Sequence, residues 1–143
     1  MRKNHRRIKR DRLQTISIRK RTVTKDSEGV PIESFEKAFV RFAEVWPAGG
    51  RRQIEQYGDR ISNIANVRVQ GKYDVASEAT HITIDFGGGK TITPGDGVCI
   101  FVDGSKDPDY RVLAITPTRP VHMEVERMTT AKPRGATGET GNG

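Results

Sequence analysis

Asn66-Val67-Arg68-Val69-Gln70-Gly71-Lys72-Tyr73-Asp74-Val75 is the stretch that decides the fold. Val67, Val69, Tyr73 and Val75 share one face of an extended chain. Arg68, Gln70, Lys72 and Asp74 share the other, with Gly71 between them. Strict alternation of this kind marks a half-buried β-strand. The period recurs towards the C-terminus. It predicts strands over 81–86 (Ile82, Ile84 and Phe86 inward), 98–102 (Val98, Ile100, Val102), 110–116 (Tyr110, Val112, Ala114) and 121–127 (Val121, Met123, Val125). Towards the N-terminus, 13–24 alternates more weakly, with Ile16 and Ile18 opposite Ser17 and Arg19. Residues 35–46 are apolar on both faces, as in a strand covered on both sides, and Pro47 stops them. Turn residues separate these runs at Asp26-Ser27-Glu28-Gly29, at Gly87-Gly88-Gly89 and from Asp103 to Asp109.

One segment breaks the period. In 50–61, Ile54, Tyr57 and Ile61 recur at three and four, which predicts a short amphipathic helix whose last turn Gly58 weakens. Composition agrees with a chain that is otherwise β. Two Leu stand against 24 Ile plus Val, and β-branched side chains suit a pleated surface. The expected fold is mainly β: a small antiparallel barrel or sandwich of about seven strands with one short α-helix. Of 143 residues only 34% are apolar and 30% are charged, so the core is small and contacts with partner subunits can complete its burial.

The formal charge of +7 is unevenly placed. Residues 1–25 carry eleven Lys or Arg against one acid, a net of +10; the other 118 carry fourteen against seventeen, a net of −3. This divides the chain into a basic arm (1–12), a folded domain (13–128) and a Gly/Thr-rich tail (129–143) expected to be flexible. The arm residues Arg2, Lys3, Arg6, Arg7, Lys9, Arg10 and Arg12 are candidates for non-specific contact with DNA phosphates or with an acidic neighbouring subunit. No aromatic residue interleaves them, so base stacking on the arm is not expected. No apolar run approaches the ~18 residues of a membrane span, so no membrane association is expected. No apolar h-region follows the basic start, so a secretory signal is not expected either. The single Cys99 permits no internal disulfide, and in an apolar strand it reads as a buried, inert thiol.

Catalytic and metal motifs fail on their own terms. Gly89-Lys90-Thr91 resembles the end of a phosphate-binding loop, but Ile84 stands where that loop needs Gly, and strand-then-turn residues follow. Asp85-Phe86-Gly87 matches a kinase tripeptide by letters alone. Asp103, Ser105, Asp107 and Asp109 alternate like a calcium loop, but Pro108 and Ala114 occupy the positions that need Gly and Glu. His5, His81 and His122 are far apart in sequence, and no Gly-x-Ser-x-Gly elbow occurs. No enzymatic activity, metal or cofactor is expected.

The order of features does have a likeness. A basic start leads into Leu13-Gln14-Thr15-Ile16-Ser17-Ile18-Arg19, a Gly turn at 26–29 and an aromatic segment closing in Val45-Trp46. The polar helix Gly50-Arg51-Arg52-Gln53-Ile54-Glu55-Gln56 precedes Asn66-Val67-Arg68-Val69-Gln70, and Asp109-Tyr110-Arg111-Val112 and Val121-His122-Met123-Glu124-Val125 close the domain. Over roughly 13–127 this resembles the head–tail joining family of tailed bacteriophages, also called head-closure, stopper or connector proteins. The resemblance implies a virion neck subunit, made in the cytoplasm of a bacterial host. It implies a homo-oligomeric ring of about six or twelve copies between the portal or adaptor and the tail terminator or tail tube, helping to retain packaged double-stranded DNA. Arg51, Arg52, Lys72 and Lys90 are candidate channel or surface cations. Trp46, Ile54, Tyr57, Ile61, Asp103, Lys106 and Asp107 are candidate subunit contacts. The competing expectation is a monomeric, OB-like nucleic-acid-binding module that uses the basic arm, with Tyr57, Tyr73, Phe101 and Tyr110 as its stacking residues.

Overall fold

A computed structural model describes residues 10–77 and 80–128, apart from the side chains of residues 37 and 38. Nine strands and one α-helix form in this range: β1 (Gln14–Lys25), β2 (Pro31–Pro47), α1 (Arg51–Tyr57), β3 (Ile64–Val69), β4 (Asp74–Ser77), β5 (Ile82–Asp85), β6 (Thr91–Ile92), β7 (Gly97–Cys99), β8 (Tyr110–Thr116) and β9 (Val121–Arg127). Six of them close an antiparallel barrel in the order β1-β2-β3-β9-β8-β7, and β4-β5-β6 form a separate three-stranded sheet. The fold is therefore mainly β with a single short α-helix, as the alternation predicts.

The barrel is filled by the inward half of each alternating pattern. Ile16, Ile18, Ala43, Val67, Val69, Val98, Val112, Val121, Met123 and Val125 are all buried. The small sheet adds Ile84 and Ile92, which belong to the same core, and Phe86 packs edge-on to both Phe39 and Tyr73. Closing the barrel removes the open sheet edges that would otherwise invite pairing with other chains.

Four expectations need correction. The run 67–75 is not one strand. At Gly71, φ is +128°, a region that favours glycine, and an added Cβ would lie 2.5 Å from Arg41 Nη2. The chain breaks there and passes to the second sheet, so Tyr73 stays buried while Val75 is exposed. Next, β2 is not covered on both sides. Phe39 and Ala43 point inward, but Val40 and Phe42 face solvent. Third, the predicted strand 98–102 ends at Cys99, although Ile100 still reaches the core. Last, β8 carries a bulge between Val112 and Ala114, opposite Val125 and Glu124. The extra residue reverses the phase, so Ile115, not Ala114, is buried.

The β1–β2 hairpin is longer than the barrel wall. β1 pairs with β7 only over Ser17–Arg19, and β2 pairs with β3 only over Ala43–Pro47. The remaining pairs, down to Lys25↔Pro31, project as a two-stranded ribbon about 20 Å long. Its turn is held by Asp26, whose carboxylate accepts the N–H groups of Glu28 and Val30, with Gly29 at φ +82°.

Candidate assembly surfaces

The helix sits on the outer wall of β3 and β9, turned away from the expected face. Ile54 is 50% exposed and Gln53 is the buried residue. The reason is the wall beneath. Asn66 and Glu124 lie opposite one another in the β3–β9 ladder and are both buried, so the side that fits them is polar. Gln53 Nε2 donates to Asn66 Oδ1 and to Glu124 Oε2, each at 2.7 Å, and the Tyr57 hydroxyl donates to Glu124 Oε1 at 2.7 Å. His122 Nε2 lies 2.9 Å from Asn66 Oδ1, and Arg52 Nη2 lies 3.5 Å from Glu124 Oε2. Burial works to raise the Glu124 carboxyl, but the bonds from Gln53 and Tyr57 and the charges of Arg52 and His122 hold it below its ordinary range. Burial, and then the bond to Glu124, pushes the Tyr57 hydroxyl up to about 12. Trp46 stacks on His122 (5.8 Å, 16°) with the Arg68 guanidinium 5.2 Å over its ring, so it lies half-buried on the outer wall. Ile61 is also half-buried, in the 3-10 turn Gly58–Asn63 that follows α1.

The loop after β7 folds back across β1. Arg19 is buried, and its Nη1 donates to the carbonyls of Gly104 (3.1 Å) and Lys106, while Nη2 donates to that of Phe35 (2.9 Å). Asp109 accepts the N–H groups of Ile100 and Phe101, and Asp103 that of Ser105. These carboxylates order turns. Among the described residues no group of three or more His, Cys, Asp or Glu side chains is placed to hold a metal ion. Asp103, Lys106 and Asp107 are exposed on this loop, and Phe101 beside them is 74% exposed, its ring 6.1 Å from Tyr110.

Glu33 ties the ribbon to the barrel. It accepts both Nη groups of Arg111 on β8 (2.8 and 2.7 Å) and the Nε of Arg21 across the ribbon. The hydrogen bond from Arg111, helped by Arg21 and opposed by burial, lowers its carboxyl to about 2. A carboxylate held down in the folded state adds stability above its ordinary range near 4.5, and that stability is lost as pH falls towards 2. The Glu33 resonance is thus expected to titrate with a midpoint near 2 by NMR, rising part of the way back towards the ordinary range in Arg111→Ala, where Arg21 still holds the carboxylate. An ordinary midpoint in the unsubstituted chain would remove the tie. At the ribbon's far end Val23, Val30 and Ile32 are each about half exposed.

The candidate cations do not form one stripe. Arg51 and Arg52 lie on α1. Lys72 is on the link between the barrel and the small sheet, beside an open cleft of about 430 Å³, and Lys90 follows the Gly87–Gly89 turn. Arg10 and Arg12 form a 3-10 turn ahead of β1, with Arg12 Nη1 3.5 Å from Glu44. Arg2, Lys3, Arg6, Arg7, Lys9 and the 129–143 tail lie outside the described residues. Sequence reasoning missed Val40, Phe42, Glu33 and Gln53. The first two were visible as apolar residues, but their exposure depends on β2 having nothing on its outer side. Among the described residues no helix is long and apolar enough to cross a membrane. Comparison with protein families, with curated proteins and with solved structures found no match.

Proposed function

We propose that this chain is a structural subunit of the neck ring of a tailed bacteriophage, joining the portal or adaptor of the DNA-filled head to the tail and helping to retain packaged DNA. One observation carries the reading. Exposed apolar side chains lie at two separate places on one small barrel: at the ribbon end, with Val23 and Ile32 on opposite faces and Val30 in the turn, and on the outer side of β2, with Val40 and Phe42 two residues apart. A head-to-tail ring needs two different patches per subunit, because each copy meets one neighbour with each. The order of strands and helix along the chain, which resembles head–tail joining proteins, supports the same reading.

The OB-like alternative has less support. Of its four stacking candidates, Tyr73 is buried with its hydroxyl on the Thr118 carbonyl, and Tyr57 is tied to Glu124. Around Phe101 the loop is acidic, which repels phosphate. The test is the mass of the assembly by light scattering or particle imaging, with and without a portal. A closed ring seated on the portal is the expected result. A chain that ignores the portal, stays monomeric at high concentration and binds single strands tightly belongs to the alternative.

A further inference from the structure

The Glu124 carboxylate depends on one short helix. Gln53 Nε2 donates to Oε2, the Tyr57 hydroxyl donates to Oε1, and Arg52 Nη2 pairs with Oε2. Among the described residues, these three side chains of α1 supply every hydrogen bond and ion pair that the carboxylate makes. The dependence runs both ways. Gln53 is the one buried residue of α1, and its only aliphatic residue, Ile54, is half exposed. The helix has seven residues, no side-chain cap at Gly50 and a glycine, Gly58, at its C-cap. A helix this short is not stable by itself. It persists because polar contacts hold it to the β3–β9 wall.

A proton on Glu124 has no good place in this arrangement. The neighbouring amides cannot turn to receive it. Gln53 Oε1 accepts the Gly49 N–H and Asn66 Nδ2, both at 3.3 Å, while Asn66 Oδ1 accepts Gln53 Nε2 and His122 Nε2. Oε2 therefore faces donors only, and Oε1 faces the Tyr57 hydroxyl, which would have to give up the bond it donates. Protonation replaces charge-assisted hydrogen bonds with weaker or opposed ones. The remaining neighbours do not relieve it. Across the ladders Glu124 faces Asn66 on β3 and Ala114 on β8, neither of which titrates. His122, two residues away on β9 and opposite Arg68 on β3, adds a cation when it charges and so delays release. Glu126 is occupied by Arg60 of the turn that follows α1. Because the Glu124 carboxyl is held below its ordinary value of 4.5, the grip on α1 is complete above that value and is lost as pH falls through the folded one.

We propose that α1 is an acid-released latch: a proton on Glu124 frees Arg51–Tyr57 from the β3–β9 wall while the barrel stays closed. The released state bares Asn66 and Glu124 on the outer wall, and it stands whether or not the chain forms a ring. Since the helix is too short to survive alone, release is read as its melting.

The test is hydrogen exchange of the full chain, corrected for intrinsic rates, comparing residues 51–57 with β3 and β9 at pH 7 and pH 3. At pH 3 the Glu33 tie, whose carboxyl titrates at about 2, still holds the ribbon. Protection over 51–57 is expected to fall about tenfold or more at pH 3, with β3 and β9 unchanged. Glu124→Gln removes the charge and brings donors of its own, so it should show the low protection already at pH 7 and no further fall at pH 3. Should that variant not fold, Gln53→Ala/Tyr57→Phe, which alters the helix alone, should do the same. Glu126→Gln should keep the full response. Protection that ignores pH, that is missing at pH 7, or that falls in α1 and both strands together would each overturn the inference. So would a full pH response in Glu124→Gln or in the helix variant. Loss of the response in Glu126→Gln would also overturn it, giving the switch to the Arg60 pair.

Discussion

Ile18→Ala is expected to lower the unfolding free energy by about 2–5 kcal/mol, read as a shift in denaturant midpoint at unchanged slope. Ile18 is fully buried and sits where three strands meet, opposite Phe39 on β2 and Val98 on β7. Both neighbours are held by ladder hydrogen bonds, so the space left by the side chain cannot close. Removal therefore forfeits transfer free energy and leaves a cavity as well. Ile32→Ala on the ribbon is the internal control. That side chain is about half exposed, and its loss is expected to stay within about 0.5 kcal/mol. Equal effects at the two sites would mean that the barrel interior is not packed as described.

The second large effect is at Arg19. Its guanidinium gathers three backbone carbonyls, from Phe35, Gly104 and Lys106, which join β2 and the loop after β7 to β1. Arg19→Ala leaves all three without that donor and is expected to cost about 2–4 kcal/mol. The loss has a local signature. The Cys99 thiol is buried beneath this loop, Sγ 3.6 Å from the Lys106 carbonyl, and burial pushes it up from its ordinary range. Releasing the loop uncovers it, so a thiol reagent should label Cys99 faster in Arg19→Ala under native conditions. Arg19→Lys should lie between the two, because a single ammonium cannot span a fork of carbonyls. Unchanged labelling together with unchanged stability would show that the loop is held by its own turns.

Much of the barrel was legible because alternation reports directly on which residues face a core. Val121, Met123 and Val125 were assigned inward, and all three are buried. Legibility failed where a single backbone event resets the phase. The β8 bulge exchanged Ala114 for Ile115, and the turn at Gly71 moved Val75 onto another sheet. It failed for α1 for a different reason. Helical spacing finds the apolar face, but here the helix covers buried Asn66 and Glu124, and a polar residue, Gln53, fits them better. The candidate surfaces were the least legible part. Val40 and Phe42 are exposed because nothing packs on the outer side of β2 at these positions, which no local pattern encodes.

The cylinder also has a weak seam. β7 holds β1 through three residue pairs and β8 through two, whereas β3 meets β9 through six. Side chains take over where the ladder is short. Asp96 binds Lys20 and the Arg21 N–H, while Asp109 binds the two N–H groups just past β7. Thermal breathing should therefore start along this line, with the wall parting there as a jacket opens at its fastening while the opposite side stays shut.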